Sequence, residues 1–148
     1  IQGPLGNGFH LPTGAGKIAL LATDATLSDR LYALLLHSLS RGIAVAWVAD
    51  TLPEQFPPQV ELLESSDLID AVNWSDYTAA VTSLVGLGAL LHTFDRHTEL
   101  KKKVDVIIDT PMVCGNALCG VCAVETKKGW KLACKDGPVF NLEEVISG

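Results

Sequence analysis

Two stretches near the C-terminus, Pro111-Met-Val-Cys-Gly-Asn-Ala-Leu-Cys-Gly-Val-Cys122 and Leu132-Ala-Cys-Lys-Asp-Gly-Pro-Val-Phe140, contain all four cysteines of this 148-residue chain. The cysteines are Cys114, Cys119, Cys122 and Cys134, and their spacing is C-x4-C-x2-C-x11-C. Three thiols in one tight loop and a fourth on a returning strand can converge on one site. We therefore predict that these four residues are metal ligands.

The cysteine spacing favours an iron–sulfur cluster over zinc. Its first part is the spacing by which plant-type ferredoxins hold a 2Fe–2S cluster, whereas structural zinc sites prefer two separate C-x2-C pairs. A loop that wraps a cluster needs small residues between the ligands, and Gly115, Ala117 and Gly120 meet that need. We expect Val113, Leu118 and Val121 to shield the cluster from water. A zinc-stapled interaction module is the alternative.

Composition limits the classes of partner. Hydrophobic residues make up 48% of the chain and charged residues 19%, so a packed core is expected. The net charge of −6 argues against nucleic acid and anionic membranes as partners. No apolar run approaches the ~20 residues that span a bilayer. Clustered cysteines without a secretory signal favour a reducing compartment, and we expect a cytoplasmic protein. Because the chain starts at Ile1 without an initiator Met, we expect it to be a piece of a longer protein.

Hydrophobic patterning predicts an α/β fold. Residues 17–22 and 43–49 form apolar strands that flank a helix over residues 29–41, capped by Ser28, and together they make a βαβ unit. Weaker apolar patches cover residues 60–63 and 68–72, and either could be a third strand. Residues 74–91 could be one long helix, or a strand over 78–81 followed by a helix over 84–94; Gly86 and Gly88 favour the second. Later segments are predicted as a turn over 98–103 and strands over 104–109, 123–126 and 130–133.

The pattern changes near Lys103, beyond which glycine- and cysteine-rich loops with short strands predominate. A unit of fewer than 50 residues has too small a core to be stable alone, so we expect the metal to staple it. Asp136 is expected to be structural, closing an Asx-type turn that holds Cys134. Trp130 is expected to pack over this unit.

These residues resemble a known family. Met112-Val-Cys-Gly, Cys119-Gly-Val-Cys122 and Gly129-Trp-Lys-Leu-Ala-Cys134-Lys-Asp-Gly-Pro-Val-Phe140 are similar to the cluster domain of the electron-transfer subunit of type B dihydroorotate dehydrogenase. The opening Gly3-Pro-Leu-Gly-Asn-Gly-Phe9 resembles the segment that joins the flavin barrel to the nucleotide domain in that family. The family belongs to the ferredoxin-reductase superfamily.

The resemblance implies a small, doubly wound, mostly parallel sheet followed by a β-rich iron–sulfur domain. It implies three parts: residues 1–14 as a linker from a flavin barrel, 15–103 as a nucleotide-binding-like domain, and 104–148 as the cluster domain. FAD would be bordered by Gly3, Pro4, Leu5, Gly6, Asn7 and Gly8. The barrel itself lies outside this sequence, so we do not expect this piece alone to hold FAD tightly.

The resemblance also implies a function. The chain would be an electron-transfer subunit rather than a complete enzyme, relaying electrons through a 2Fe–2S cluster between FAD and a partner dehydrogenase that contains FMN. The context would be dihydroorotate oxidation in pyrimidine biosynthesis, within a hetero-oligomer. The alternative is the diaphorase subunit of another complex, such as a sulfhydrogenase or a ferredoxin–NADP reductase.

NAD binding is expected to be weakened or lost. The family's first strand is followed by a glycine-rich turn that admits a pyrophosphate, whereas residues 22–29 here, Ala-Thr-Asp-Ala-Thr-Leu-Ser-Asp, contain no glycine. Asp24 and Asp29 would repel phosphate. The Cys-Gly-Pro stretch that the superfamily places near the nicotinamide has no counterpart in this sequence. Ala117 also replaces a glycine that the family usually has, a change that a slightly adjusted loop can accept.

Overall fold

The computed structural model describes residues 6–50 and 56–146. The strands are β1 (Lys17–Ala22), β2 (Ala44–Val48), β3 (Glu61–Leu63), β4 (Tyr77–Ser83), β5 (Val104–Asp109), β6 (Ala123–Thr126), β7 (Gly129–Leu132) and β8 (Val139–Asn141). The α-helices are α1 (Tyr32–Ser40), α2 (Leu68–Trp74) and α3 (Leu84–Thr93). Three 3-10 segments cover Ala25–Leu31, Ser65–Asp67 and Thr98–Lys103.

Six strands form one sheet in the order β3-β2-β1-β4-β5-β8. The first five are parallel, and β8 runs antiparallel to β5. β1 is buried at every position after Lys17, as expected for a parallel strand covered on both faces. The order reverses direction between β1 and β4, which is the topological switch point of a doubly wound sheet. The predicted fold class is confirmed.

Two apolar cores cover the two faces of the sheet. One core is built around Ile18, Leu20, Leu35 and Trp47. The other begins with the β1, α2 and α3 side chains and continues without a break into the C-terminal unit, where its members are Cys122, Val124, Ala133, Cys134, Phe140, Leu142 and Val145. The cysteine-rich unit therefore shares its core with the sheet instead of having a separate one.

The predicted domain division lies between residues 103 and 104, immediately before β5. β5 pairs with β4 in the parallel sheet, and β8 returns from the cysteine unit to pair with β5. β6 and β7 form a separate two-stranded hairpin. The last two strands of the large sheet thus come from the segment assigned to the cluster domain, and the division at residue 103 stays a prediction.

The predicted strands and the later helix agree with the structure to within about two residues, but β8 was not predicted, residues 98–103 form a 3-10 helix instead of a simple turn, and the first helix differs. We predicted a helix over 29–41 with Ser28 as its cap, but a 3-10 segment begins at Ala25 and α1 begins only at Tyr32. The reason is that Asp24 caps the 3-10 segment by accepting a hydrogen bond from the Thr26 N–H. Of the two weak apolar patches, the first contains β3 and the second lies in α2.

The loop predicted over residues 51–58 lies partly outside the described residues. None of the helices in the described part of the chain is long and apolar enough to span a membrane.

Candidate metal centre

The four cysteines lie on a loop between β5 and β6 and on the turn that follows β7. All four are free thiols. Cys122 and Cys134 are buried, Cys114 is partly exposed and Cys119 is exposed. The site is therefore anchored in the core at one side and open to the surface at the other.

Three positions in the loop have left-handed backbone. The φ angles are 65° at Gly115, 62° at Ala117 and 71° at Gly120. Only glycine adopts this region without a steric penalty from Cβ. These turns curl the loop tightly, which explains why small residues stand between the cysteines. Ala117 adopts the left-handed conformation despite its methyl group, so alanine is strained at this position.

Backbone N–H groups point at the Cys114 sulfur. The N–H of Asn116 has the largest effect, followed by the N–H and thiol of Cys119 and the N–H of Leu118, and together they lower the pKa of Cys114 to about 6. Hydrogen bonds that favour the charged form lower a pKa in this way. Metal ligands must be thiolates, so the loop stabilises the form of Cys114 that binds metal.

The buried pair, Cys122 and Cys134, has a different environment. The hydrogen bond with the Cys122 thiol is the largest cause that raises the pKa of Cys134, and burial raises it further. The N–H of Ala117 donates to the Cys134 sulfur and acts in the opposite direction. The contacts thus pair Cys114 with Cys119 and Cys122 with Cys134. Across residues 6–50 and 56–146, no three His, Cys, Asp or Glu side chains are arranged to hold a single metal ion.

The turn that carries Cys134 is held by Asp136. Its Oδ2 accepts a hydrogen bond of 2.9 Å from the Leu132 N–H, and the N–H groups of Lys135 and Asp136 donate to the Leu132 carbonyl at 2.9 and 2.7 Å. Asp136 is therefore structural, as predicted, but its carboxylate bonds backwards to Leu132 and does not close a forward Asx turn. The result is a closed bend with Cys134 inside it.

The glycine segment lies against the chain just after Cys134. Gly3, Pro4 and Leu5 fall outside the described residues. Asn7 donates its N–H to the Gly137 carbonyl and its Nδ2 to the Asp136 carbonyl at 3.2 Å, and its own carbonyl accepts from Val139 N–H at 3.4 Å. Sequence reasoning missed this contact because nothing local to residues 6–8 indicates a partner 129 residues away. Whether Gly6, Asn7 and Gly8 border a flavin stays a prediction.

The apolar side chains of the loop point outward. Val113 is 74% exposed, Leu118 82% and Val121 50%, and the expectation that they shield the site from water stays a prediction. The tight curl of the loop turns its N–H groups inward and these side chains outward. Trp130 is 68% exposed, and its predicted packing role is wrong.

The donor set and the loop fit an iron–sulfur cluster. Four thiols lie in two contacting pairs, small left-handed residues clear space between them, and backbone N–H groups reach the sulfurs. A doubly wound sheet joined to such a loop defines a class: α/β domains of the nucleotide-binding type with an iron–sulfur type of cysteine loop.

Comparison with known proteins finds a matching family model for the C-terminal segment and relatives of nearly the whole chain. Residues 109–146 match the model described as the iron–sulfur cluster binding domain of dihydroorotate dehydrogenase B. The chain is 29% identical over 165 residues to the dihydroorotate dehydrogenase B (NAD(+)), electron transfer subunit, of Clostridium perfringens, covering 98% of this chain and 65% of that protein. It is 30% identical over 151 residues to the putative subunit of the same name from Thermotoga maritima, covering 97% and 62%. The C-terminal segment thus carries this family's cluster-binding domain, and the resemblance seen in the sequence is confirmed.

Two further likenesses are more distant. Sulfhydrogenase 1 subunit gamma of Pyrococcus furiosus is 41% identical over 46 residues, or 31% of this chain and 16% of that protein. A solved structure of an NADH-dependent reduced ferredoxin-NADP oxidoreductase, described in connection with flavin-based electron bifurcation, has a TM-score of 0.72 at 23% identity, covering 99% of this chain and 59% of that chain. This second likeness shows the fold. The chain spans just under two thirds of the length of the dihydroorotate dehydrogenase relatives.

Proposed function

We propose that this chain is an electron-transfer component that holds a 2Fe–2S cluster on Cys114, Cys119, Cys122 and Cys134. The observation that carries the proposal is the placement of four free thiols on the loop after β5 and the turn after β7, with Cys122 and Cys134 in the core shared with the sheet. A 2Fe–2S cluster takes four cysteines, two on each iron, and the contacts divide the thiols in the same way. Such a cluster would carry one electron at a time.

The chain's own residues would keep the ligands charged and in place. The N–H groups of Asn116, Leu118 and Cys119 stabilise the Cys114 thiolate, and hydrogen bonds to the sulfurs tune the reduction potential of such sites. The Ala117 N–H does the same for Cys134. Because these donors are backbone groups, conservative side-chain changes at Asn116 and Leu118 should leave the site intact.

The proposed partner is the FMN-containing catalytic subunit of a dihydroorotate dehydrogenase, in a hetero-oligomer. Electrons would pass between that FMN and an FAD bordered in part by the segment from Gly3 to Gly8. Relatives of nearly the whole chain are named electron transfer subunits of that enzyme, which supports the proposal. The outward apolar side chains Val113, Leu118 and Val121 offer a contact surface beside the open edge of the site.

A second candidate is the diaphorase-type subunit of another complex. The match of 41% identity to a sulfhydrogenase gamma subunit over 46 residues favours it, because the percentage is higher than in the dihydroorotate dehydrogenase matches. The longer matches favour the first candidate.

The cluster is tested by anaerobic purification followed by visible spectroscopy and by iron and sulfide analysis. We expect a coloured protein with about two irons and two sulfides per chain. Cys122→Ser should lose the colour, whereas Asn116→Ala should keep it, because the donor at that position is the backbone N–H. A colourless, zinc-containing protein would refute the proposal.

The partner is tested by mixing the full-length protein with a catalytic dihydroorotate dehydrogenase subunit. Bleaching of the visible spectrum on addition of dihydroorotate, dependent on that subunit, is the expected result. Bleaching that requires a hydrogenase subunit and hydrogen gas would favour the second candidate.

A further inference from the structure

The turn after β1 is the place where a doubly wound sheet usually meets the pyrophosphate of a dinucleotide. A glycine-rich turn lets the backbone approach, and the free N–H groups at the start of the following helix bind the phosphates. In this chain the turn runs from Thr23 into the 3-10 segment Ala25–Leu31. The relatives are named as NAD(+) proteins, so the condition of this turn bears on whether this chain can bind the same ligand.

The carboxylate of Asp24 already occupies the donors of the turn. It accepts the Thr26 N–H at 2.9 Å and the Thr26 hydroxyl at 2.7 Å. The Thr26 hydroxyl is the main cause that lowers the pKa of Asp24, and the Thr26 N–H adds to it, so this group is negatively charged at neutral pH. A phosphate would have to displace a charged ligand that is part of the chain. Asp29 lies farther along the same segment and is exposed.

A second observation concerns the switch point itself. The Thr23 hydroxyl donates to the Val81 carbonyl at 3.2 Å and to the Thr82 hydroxyl at 2.9 Å, while the Thr23 N–H also bonds to Val81. These bonds join the carboxyl ends of β1 and β4, the two strands between which the ligand crevice opens in such sheets. A methyl group added at Gly86 would lie 2.7 Å from the Thr82 hydroxyl, so α3 also packs tightly at this point.

The space that remains at this edge is small. A cavity of about 240 Å³ is lined in part by Thr23, Asp50 and Gly86. Sites for small molecules generally measure ~300–1,000 Å³, and a dinucleotide is larger than most of their ligands. The size of the cavity and the charge of Asp24 therefore both disfavour a pyrophosphate here.

We propose that Asp24 is a built-in anion that takes the place of the dinucleotide pyrophosphate, and that the Thr23–Thr82 hydrogen bond closes the crevice beside it. The α/β domain of this chain then does not bind NAD(H) at its switch point. This inference goes beyond the proposed function and is independent of it, because the thiol site is tested without nucleotide.

The experiment is a titration of the full chain with NADH by isothermal calorimetry. Wild type should bind more weakly than about 1 mM. Asp24→Gly combined with Thr23→Gly should bind at least about tenfold more tightly, a change equivalent to ~1.4 kcal/mol. Asp24→Asn should give a smaller gain, because Asn keeps the cap but removes the charge, and it also serves if the glycine variant fails to fold.

The control is Asp29→Asn, which removes the same charge from the same segment without freeing Thr26. It should bind NADH as weakly as wild type. The proposal is overturned if wild type binds NADH in the micromolar range, if none of the Asp24 variants gains affinity, or if Asp29→Asn gains as much as Asp24→Asn.

Discussion

Replacing Gly6 with alanine should detach the N-terminal glycine segment from the cluster unit. Gly6 has a φ of 68°, and a Cβ at this position would overlap the carbonyl oxygen of Gly137. The obstacle is backbone and cannot rotate away, unlike the end of a flexible side chain. The site around Gly137 is tight as well, since a Cβ added there would overlap the Phe140 ring and meet the Ala133 Cα at 3.2 Å.

The magnitude follows from the contacts that are lost. Asn7 makes three hydrogen bonds with residues 136–139, and two of them are long, at 3.2 and 3.4 Å. At about 0.5–1.5 kcal/mol each, docking of the segment contributes roughly 2–3 kcal/mol. The loss of stability cannot exceed this docking energy, because the variant can release the segment from residues 136–139 instead of keeping the overlap with the Gly137 carbonyl oxygen. Unfolding should then occur roughly 4–12 °C lower in a chain of this size.

The assay combines thermal unfolding with hydrogen exchange of the Asn7 and Val139 amides, both of which should exchange faster in the variant. Gly8→Ala is the matched control, since nothing lies within 4 Å of a Cβ at that position. The reasoning fails if Gly6→Ala and Gly8→Ala unfold at the same temperature and protect these two amides equally.

Three further changes test the remaining contacts. Ala117→Gly should raise the free energy of unfolding by up to about 1 kcal/mol, because relief of the left-handed strain (~1–2 kcal/mol) exceeds the cost of the greater freedom of glycine in the unfolded chain. Denaturant unfolding measures the change, and a loss of stability would contradict it. Thr26→Val should bring the pKa of Asp24 back towards 3.8, because it removes the largest cause of the lowering. In wild type, the lowered pKa stabilises the fold at pH values above the pKa of Asp24 in the unfolded chain, and this stability is lost as the pH falls through the pKa in the folded chain. Carbon NMR of the carboxyl group follows the titration. Asp136→Ala should cost about 1–2 kcal/mol by leaving the Leu132 N–H without its acceptor and should shorten the retention time of iron, measured by loss of colour under a chelator, with unchanged retention as the contrary result.

Long apolar runs predicted the sheet well. β1 and β5 have the predicted bounds because both are almost entirely apolar between polar ends, and burial on two faces leaves such a run few other structures. The choice between one helix and a strand followed by a helix over residues 74–91 was also correct. Ser83 caps α3 through the Gly86 N–H, a signal that local sequence carries.

Contacts distant in sequence could not be predicted. Asp24 caps the 3-10 segment, whereas the sequence led us to expect Ser28 as the cap of a helix. Both residue types are good caps, and only the path of the chain after β1 decides which of them is used. The outward direction of Leu118 depends on left-handed angles at the residues around it, one of which is an alanine. Such angles at alanine are uncommon, so the cysteine spacing alone could not indicate which side chains face the solvent.

The continuity of the core explains how a nucleotide-binding type of sheet can remain useful without a nucleotide. Cys122 and Cys134 belong to the same apolar cluster as Ala80 of β4 and Val106 of β5, and the chain after Cys134 returns to β5 as β8. Loosening this face of the sheet would therefore loosen two of the four thiols. The turn after β1 lies at the same carboxyl edge of the sheet as the end of β5, where Arg30 pairs with Asp109, but it contributes no side chain to that core. A change of charge and shape at Asp24 therefore leaves the core around Cys122 and Cys134 intact. Selection for the thiol site alone would preserve the sheet and leave the phosphate turn free to diverge.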